Sequence, residues 1–458
     1  MPKLSHIARS TLIVAVFFGL EKALGFLRQI LTARQFGLSA ELDAFNAANN
    51  LPDMIFALIS GGALAMAFIP VLSETLQKQG RPAAWDLFSR IANLVFLVTA
   101  GLSLLVALFA SPLVARVVTP GFSVEQQHLV ANLMRINLIS TLIFSISGLV
   151  IAGLQVNQHF LLPAMAPSMY DLGMLVGVLI LAPSKGYQIG PLQLPSFGMG
   201  VYGLVYGTVI GALLFLGIQI PGLIHFRFRY TPALGVLTPG VQRVLAVLGP
   251  RIFTMLSIQL VFITTDNLAS RFAAGAVSAL TYGWLFMQVP ETLIGTALGT
   301  AMLPTLSEQT ARQDEAAFRQ ALNSSAKLLL ALSLPVAALI MTGVRPLVGI
   351  LGFDGQATDL VVWTTRAFMV GMAGHALLEV AVRSFYARQD ARTPLLAAFL
   401  TLLLFALLAY LLVQWLGVAG IGLANALAFS AEALFLWFLI SRRYPGVLRV
   451  EKTLLRAV

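Results

Sequence analysis

Twelve stretches of about twenty mostly apolar residues follow one another along this 458-residue chain. They fall near residues 11–32, 44–69, 86–110, 128–153, 163–183, 198–224, 244–270, 277–303, 321–343, 359–384, 395–416 and 418–440. A run of roughly 20 apolar residues spans a hydrocarbon core of about 30 Å. The chain is 58% hydrophobic and 10% charged, so lipid, and not water, is the solvent it must satisfy. The runs are continuously apolar and rich in Leu and Ala, whereas barrel strands would alternate over about ten residues. The expected fold class is an all-α polytopic membrane protein with about twelve transmembrane helices. No water-soluble domain fits, since the longest loops run to only about 15 to 20 residues. Cysteine is absent, which excludes disulfides and thiolate metal sites. Thr11 to Leu20 has the length of a secretory signal core, but Glu21 and Lys22 interrupt it without a small-residue cleavage site, and the apolar pattern resumes through Ile30. It reads as a span.

One phrase occurs twice. Ala67-Phe68-Ile69-Pro70-Val71-Leu72-Ser73-Glu74 returns as Ala301-Met302-Leu303-Pro304-Thr305-Leu306-Ser307-Glu308, 234 residues later, about half the chain length. One copy ends the second expected span and the other ends the eighth, so six crossings separate them and both leave on the same face. The halves are therefore read as parallel repeats, residues 1–230 and 231–458, forming two six-helix lobes around a central cavity. Pro52-Asp53 and Pro290-Glu291 look like a further correspondence, with a four-residue difference in length. The basic stretch from His225 to Arg243, with Pro232 and Pro239, suits a linker between the lobes.

Lys and Arg are distributed unevenly. Seventeen fall in the termini and even-numbered loops, against five in the odd-numbered loops: Arg34, Arg116, Lys185, Arg271 and Arg345. The positive-inside rule then places both termini in the cytoplasm. Topology and attraction to anionic lipid head groups account for the net charge of +10 without any nucleic acid.

A charge at mid-membrane depth costs about 2.5 to 3.5 kcal/mol on insertion scales, so it must face protein or a water-filled cavity. The first span holds Glu21, Lys22 and Arg28. Glu21 and Arg28 are seven apart and share a face, so they can neutralise each other; alternatively Arg28, with Lys22, meets an anionic group in the cavity. In the second span Asn46, Asn49, Asn50 and Asp53 form one polar stripe on a helix that Pro52 should kink. Gly61, Gly62, Ala63, Ala65 and Ala67 follow and suit close helix packing. The tenth span carries His375, Glu379 and Arg383 at intervals of four, ready for charge pairing. His375 and Glu379 also have the spacing of a helical metal pair, but no third ligand presents itself, and no metal or cofactor is expected. Asp266, beside Asn267, and Glu432 are isolated acids at plausible depth, open to proton or cation coupling or to structural hydrogen bonding. Nothing resembles a phosphate-cradling loop with its lysine.

Several phrases resemble the MviN/MurJ family of lipid II flippases within the multidrug/oligosaccharidyl-lipid/polysaccharide exporter superfamily. They are Leu24-Gly25-Phe26-Leu27-Arg28 with Phe36-Gly37 and Asp43-Ala44-Phe45; Gly62-Ala63 through Pro70 and Ser73-Glu74; Pro120-Gly121-Phe122; Val277-Ser278-Ala279-Leu280 with Tyr282; Leu298-Gly299-Thr300 through Pro304 and Leu306-Ser307; and Phe385-Tyr386-Ala387-Arg388-Gln389-Asp390 with Thr393-Pro394. They occur in family order over nearly the whole chain. The resemblance implies a flippase that moves an undecaprenyl-diphosphate-linked peptidoglycan precursor across the bacterial inner membrane by alternating access. No catalytic residues are implied, and its partners would be the lipid-linked precursor, membrane lipids and other cell-wall synthesis proteins. By the match, Arg28 falls at a cavity arginine of the family, Lys22 falls where a second arginine usually stands, and Asp43 matches an acid near the periplasmic end of the second helix. Substrate contacts are thus expected from Arg28, Lys22, Asn46, Asn49 and Asp53, and coupling or gating from Asp43, Asp266, His375, Glu379 and Arg383.

The departures are specific. Family arginines and a glutamate usually precede the Gly-Ala step, where this chain has Phe56, Ala57 and Gly61; an Ala-Asp-Arg step usually follows the tyrosine, where this chain reads Gly283-Trp284-Leu285. Two further C-terminal helices of many members are not matched, and the eleventh span offers no Asn or Asp for a sodium site seen in some relatives. Two other readings therefore stand beside lipid II transport: the same fold carrying another polyprenyl-linked saccharide or a cationic drug, and a transport-inactive membrane scaffold. A drug exporter would show a cavity rich in acids and aromatics. An intramembrane glycosyltransferase would want a sizeable loop and paired acids outside the membrane, which are absent.

Overall fold

The computed structural model describes residues 6–59 and 62–443. Gly61 and the basic residues Lys3, Arg449, Lys452 and Arg456 lie outside the described residues. The chain divides into two compact units, Met1–Met255 and Leu256–Val458.

The first unit holds α1 (His6–Phe36), α2 (Ala40–Ala48), α3 (Asn50–Ile59), α4 (Gly62–Leu108), α5 (Ala110–Leu113), α6 (Val124–Val156), α7 (Leu161–Val176), α8 (Val201–Gly217) and α9 (Ile220–His225). A two-residue hairpin, β1 (Gln188–Ile189) with β2 (Leu192–Gln193), sits between α7 and α8. The helix α10 (Pro239–Ala269) crosses from this unit into the next. The second unit continues with α11 (Ala276–Glu291), α12 (Ala297–Ala311), α13 (Glu315–Gly349), α14 (Gly355–Met369), α15 (Met372–Ala387), α16 (Arg392–Leu416) and α17 (Val418–Arg443).

Local chemistry sets these boundaries. Ser39, Ser123, Asp314 and Asp354 each accept a hydrogen bond from a backbone N–H in the first turn of α2, α6, α13 and α14, satisfying donors that have no partner within the helix. Inside α4, Gly80 takes φ +83°, a left-handed value that glycine adopts without strain, and Pro82 restarts the helix two residues on. This break stands where the sequence places the loop between the second and third spans.

The helices are sorted for lipid. On α16, Leu396, Phe399, Leu400, Leu403, Leu407 and Tyr410 form an exposed stripe, while Pro394, Ala397, Thr401, Phe405 and Ala409 are buried. Mostly small residues face the protein and large apolar ones face outward, the arrangement that lets membrane helices approach closely. Between α7 and α8 the approach is closest: a Cβ added at Gly173 would stand 2.2 Å from the Gly211 backbone nitrogen, and one at Gly207 would stand 2.8 Å from the Gly177 Cα.

Eight helices among the described residues are long and apolar enough to cross a membrane, or nine if α14 and α15, bent by 43°, count as one span. Twelve are expected from the sequence, and the three stretches that differ are polar or broken. The helix α1 carries Glu21, Lys22, Arg28 and Arg34; the polar stretch after Asp43 breaks at Asn49 into α2 and α3; and α11 runs into α12 through a π-helical turn, Thr292–Thr296, next to Pro290 and Glu291. Such turns and buried charges concentrate where membrane proteins do their work.

The repeated phrase is helical in both units, in α4 and in α12. Leu72 and Leu306, equivalent by the 234-residue offset, are both fully buried in the core of their own unit. Glu74 pairs with Lys78 at 2.7 Å and Glu308 with Arg312 at 2.6 Å, again at equivalent positions.

The stretch 225–243, read as a linker, is held against α4 within the first unit. The Trp85 indole N–H donates to the Phe226 carbonyl at 3.2 Å, and the Asn93 amide donates to the Thr231 and Ala233 carbonyls, both at 3.0 Å. Phe228 packs edge-on against Trp85 and Phe88. The two units accordingly part inside α10, where the sequence suggested a division at residue 230.

Candidate substrate cavity

Arg28 lies on α1, which packs against α7. The helix α7 is fixed on its other side by the glycine contact with α8, and it presents Tyr170 and Asp171 toward α1. Arg28 Nε stands 3.3 Å from Asp171 Oδ1, and the guanidinium lies 5.7 Å from the centre of the Tyr170 ring. The other carboxylate oxygen faces Gly25: a Cβ there would lie 3.5 Å from Asp171 Oδ2. Gly25, one turn before Arg28, is thus in ordinary contact range of the acid. The Asp171 side chain is only 4% exposed, and that of Arg28 21%.

These residues open onto a cavity of about 340 Å³ within the first unit, lined also by Glu21, Asn49, Asp53, Phe56 and Asn137 among others. Asn137 of α6 donates to the Asn49 side-chain oxygen at 2.7 Å. Asn49 reaches it because the chain breaks there: Pro52 has no N–H to give the Ala48 carbonyl, so the helix ends and restarts. Ser140 Oγ lines the same cavity, buried and without a hydrogen-bond partner.

Of the expected substrate contacts, Arg28, Asn49 and Asp53 come together here. Lys22 does not line the cavity; it is exposed and pairs with Glu21 at 3.3 Å, its ammonium 5.1 Å from the Phe18 ring. Glu21 therefore neutralises its sequence neighbour and not Arg28, although it borders the cavity. Asn46 sits on α2 outside the lining, and Asp43 is fully buried on the same helix.

The second unit separates the other candidates. His375 does not join Glu379; its Nε2 lies 3.1 Å from Asn425 Oδ1, and its ring stacks on Phe429 at 4.6 Å. Glu379 pairs with Arg383, whose guanidinium also donates to Thr300 Oγ1 at 3.3 Å. Arg383 passes close to Gly299, where a Cβ would meet its Nη1 at 2.8 Å. Asp266 lines a smaller cavity of about 120 Å³ with Thr265, Thr281, Trp284 and Asn425. Glu432 is buried on α17. Glu291, of the Pro-acid step shared by the two halves, is buried at the π-helical turn and accepts from the Thr296 hydroxyl at 3.4 Å.

Sequence reasoning missed Asp171, Tyr170 and Asn137. For Asp171 the signal was present: it is the lone charge in the apolar run 163–183. A lone acid at membrane depth is by default a candidate functional residue.

Lipid-sorted helices in two compact units, with an arginine and acids lining an internal cavity, define a multi-pass membrane protein of transporter type. Solved structures carry the same fold. "Lipid II flippase MurJ, inward closed conformation" superposes with a TM-score of 0.79 at 22% identity, covering 94% of this chain and 87% of that one. An inward-facing multidrug resistance MATE family transporter of the MOP superfamily gives 0.75 at 14% identity, covering 95% and 98%. The model of the family "Lipid II flippase MurJ" matches residues 32–456, and the chain belongs to that family. The lipid II flippase MurJ of Burkholderia cenocepacia is 30% identical over 97% of this chain and 86% of its own length. The probable lipid II flippase MurJ of Rhizobium meliloti is 27% identical over 90% and 76%. The family is one of transporters and not of catalytic enzymes.

Proposed function

We propose that this chain translocates lipid II, the undecaprenyl-diphosphate-linked precursor of peptidoglycan, from the cytoplasmic to the outer leaflet of the bacterial inner membrane. Membership of the MurJ family over residues 32–456 carries the reading. The cargo's diphosphate must cross a low-dielectric layer, and a guanidinium offers it fixed, paired donors. Arg28, the one basic side chain lining the cavity among the described residues, takes that role, with Asn49 and Asp53 contacting the neutral head-group atoms. Both termini lie in the cytoplasm, in keeping with the Lys and Arg distribution. Transport proceeds by alternating access, with rigid-body rocking of the two repeats while the lipid tail stays in the bilayer. Other cell-wall synthesis proteins are its natural neighbours.

One observation favours a second reading, export of an amphipathic cation. The cavity is lined by three carboxylates, Glu21, Asp53 and Asp171, against one guanidinium, and by the rings of Phe56, Phe144, Tyr170 and Phe215. Acids with aromatics are the lining that would hold an organic cation.

Expression in bacteria depleted of their own lipid II flippase separates the two. Rescue of growth supports lipid II transport. Failure of a well-expressed, membrane-inserted chain to rescue, together with efflux of a cationic dye, supports the second reading.

A further inference from the structure

An anionic cargo entering the first-unit cavity does not meet a free cation. Arg28 already has a counter-ion, Asp171, 3.3 Å away and almost wholly buried. The two partners are held very differently. Asp171 is anchored: its helix α7 is locked to α8 by backbone contact at Gly173 and at Gly177 just past its end, and its second oxygen sits over Gly25. Arg28 is at the end of a long side chain with access to the cavity, and its Nε, although close to the carboxylate, lacks the alignment of a hydrogen bond. Tyr170 supplies a ring face beside the guanidinium, a contact that tolerates rotation of the cation. This is a pairing by charge, without the two-pronged fork that makes arginine–carboxylate contacts rigid.

We infer that Asp171 is a positioning residue for transport, the resident counter-ion that Arg28 gives up to the cargo's anionic group and returns to when the cargo leaves. The inference rests on the reading that Arg28 meets a lipid-linked diphosphate. Its logic is competition in a low-dielectric site. A charge pair that is broken there must be replaced by another of comparable strength, so the cargo's net affinity is the difference between two pairings with one guanidinium. Asp171 thereby weakens binding and speeds release. Asp53 lines the same cavity and is in no ion pair among the described residues. Without Asp171 the site would hold its anion and turn over slowly.

The test uses the full chain in lipid nanodiscs, with undecaprenyl diphosphate as the binding probe and fluorescent lipid II in proteoliposomes as the transport substrate. Asp171→Asn is expected to bind the probe on the order of tenfold more tightly, the worth of one charge-assisted contact, while transport at saturating substrate slows. Asp171→Glu, which keeps the charge, should restore weak binding and transport. Arg28→Ala and the double variant Arg28→Ala with Asp171→Asn should both bind poorly, because the cation that Asp171 competes for is gone. A merely structural role would lower transport without tightening binding. Unchanged or weaker binding by Asp171→Asn, with Arg28→Ala still defective, overturns the counter-ion role and leaves the lipid diphosphate reading standing. Undiminished binding by Arg28→Ala overturns both. Asp171→Ser removes the same charge and carries the same expectation should the asparagine form fail to fold.

Discussion

Replacing Gly173 by alanine should damage the protein more than its single methyl group suggests. The added Cβ would stand 2.2 Å from the Gly211 nitrogen, 2.3 Å from its Cα and 2.9 Å from the Ile210 carbonyl carbon. All three are backbone atoms that no rotamer change can move. Ordinary contact between carbon atoms lies near 3.5 to 4.0 Å, so α7 and α8 must separate by roughly 1.2 Å or more. Overpacking of this kind costs about 1 to 3 kcal/mol. At about 2 to 4 °C per kcal/mol for a unit of this size, the apparent melting temperature should fall by roughly 2 to 12 °C. Asp171 is two residues away on the same helix, so its 3.3 Å contact with Arg28 shifts by a comparable distance and growth rescue should fall with stability. Gly101→Ala is the control: its Cβ meets nothing within 4 Å, and alanine is the better helix former there. Thermal unfolding of the purified variants in detergent decides the matter. Indistinguishable melting of Gly173→Ala, Gly101→Ala and wild type would refute the argument that backbone contact at Gly173 holds α7 in place.

Two further predictions concern the periphery. Asn93→Ala removes the donor that ties the Thr231 and Ala233 carbonyls to α4 and the acceptor for the Tyr230 hydroxyl at 2.7 Å; cleavage within 226–238 under limited proteolysis should accelerate severalfold, and an unchanged cleavage rate would show that the aromatic contacts suffice. Burial opposes ionisation of Asp390, but hydrogen bonds from Thr393 and the charge of Arg443 at 3.0 Å outweigh it and hold the carboxyl below its ordinary range. A depressed acid stabilises the fold above its unfolded value of about 3.9 and loses that contribution as pH falls through the native value. Asp390→Asn should thus melt below wild type at pH 7, with the gap closing below about pH 4; a gap that is constant with pH would contradict the assignment.

Much of the fold was legible because it is local. Apolar runs of membrane length announce helices wherever they occur, and both copies of the repeated phrase are helical, with Leu72 and Leu306 buried. The polar stripe also gave Asn49 and Asp53 correctly as neighbours. Ion-pair partners were less legible. Glu21 and Arg28 share a helical face, yet Arg28 takes an acid 143 residues away and Glu21 takes the adjacent lysine. His375, Glu379 and Arg383 share a face as well; Glu379 and Arg383 pair along it, but Asn425 of a neighbouring helix claims the imidazole. Spacing along one helix fixes which side chains can meet; packing between helices decides which do. The packing of the stretch 225–243 was not legible for a related reason, since its carbonyls are bonded to Asn93 more than 130 residues earlier.

The central claim is that this chain moves a lipid-linked diphosphate through a site built on Arg28. Its most direct test is translocation of fluorescent lipid II by the purified chain in proteoliposomes, comparing wild type with Arg28→Ala and Arg28→Lys. The account predicts transport by wild type, none by Arg28→Ala, and a reduced rate for Arg28→Lys, which keeps the charge but loses the planar fork. Transport by Arg28→Ala at the wild-type rate would contradict it.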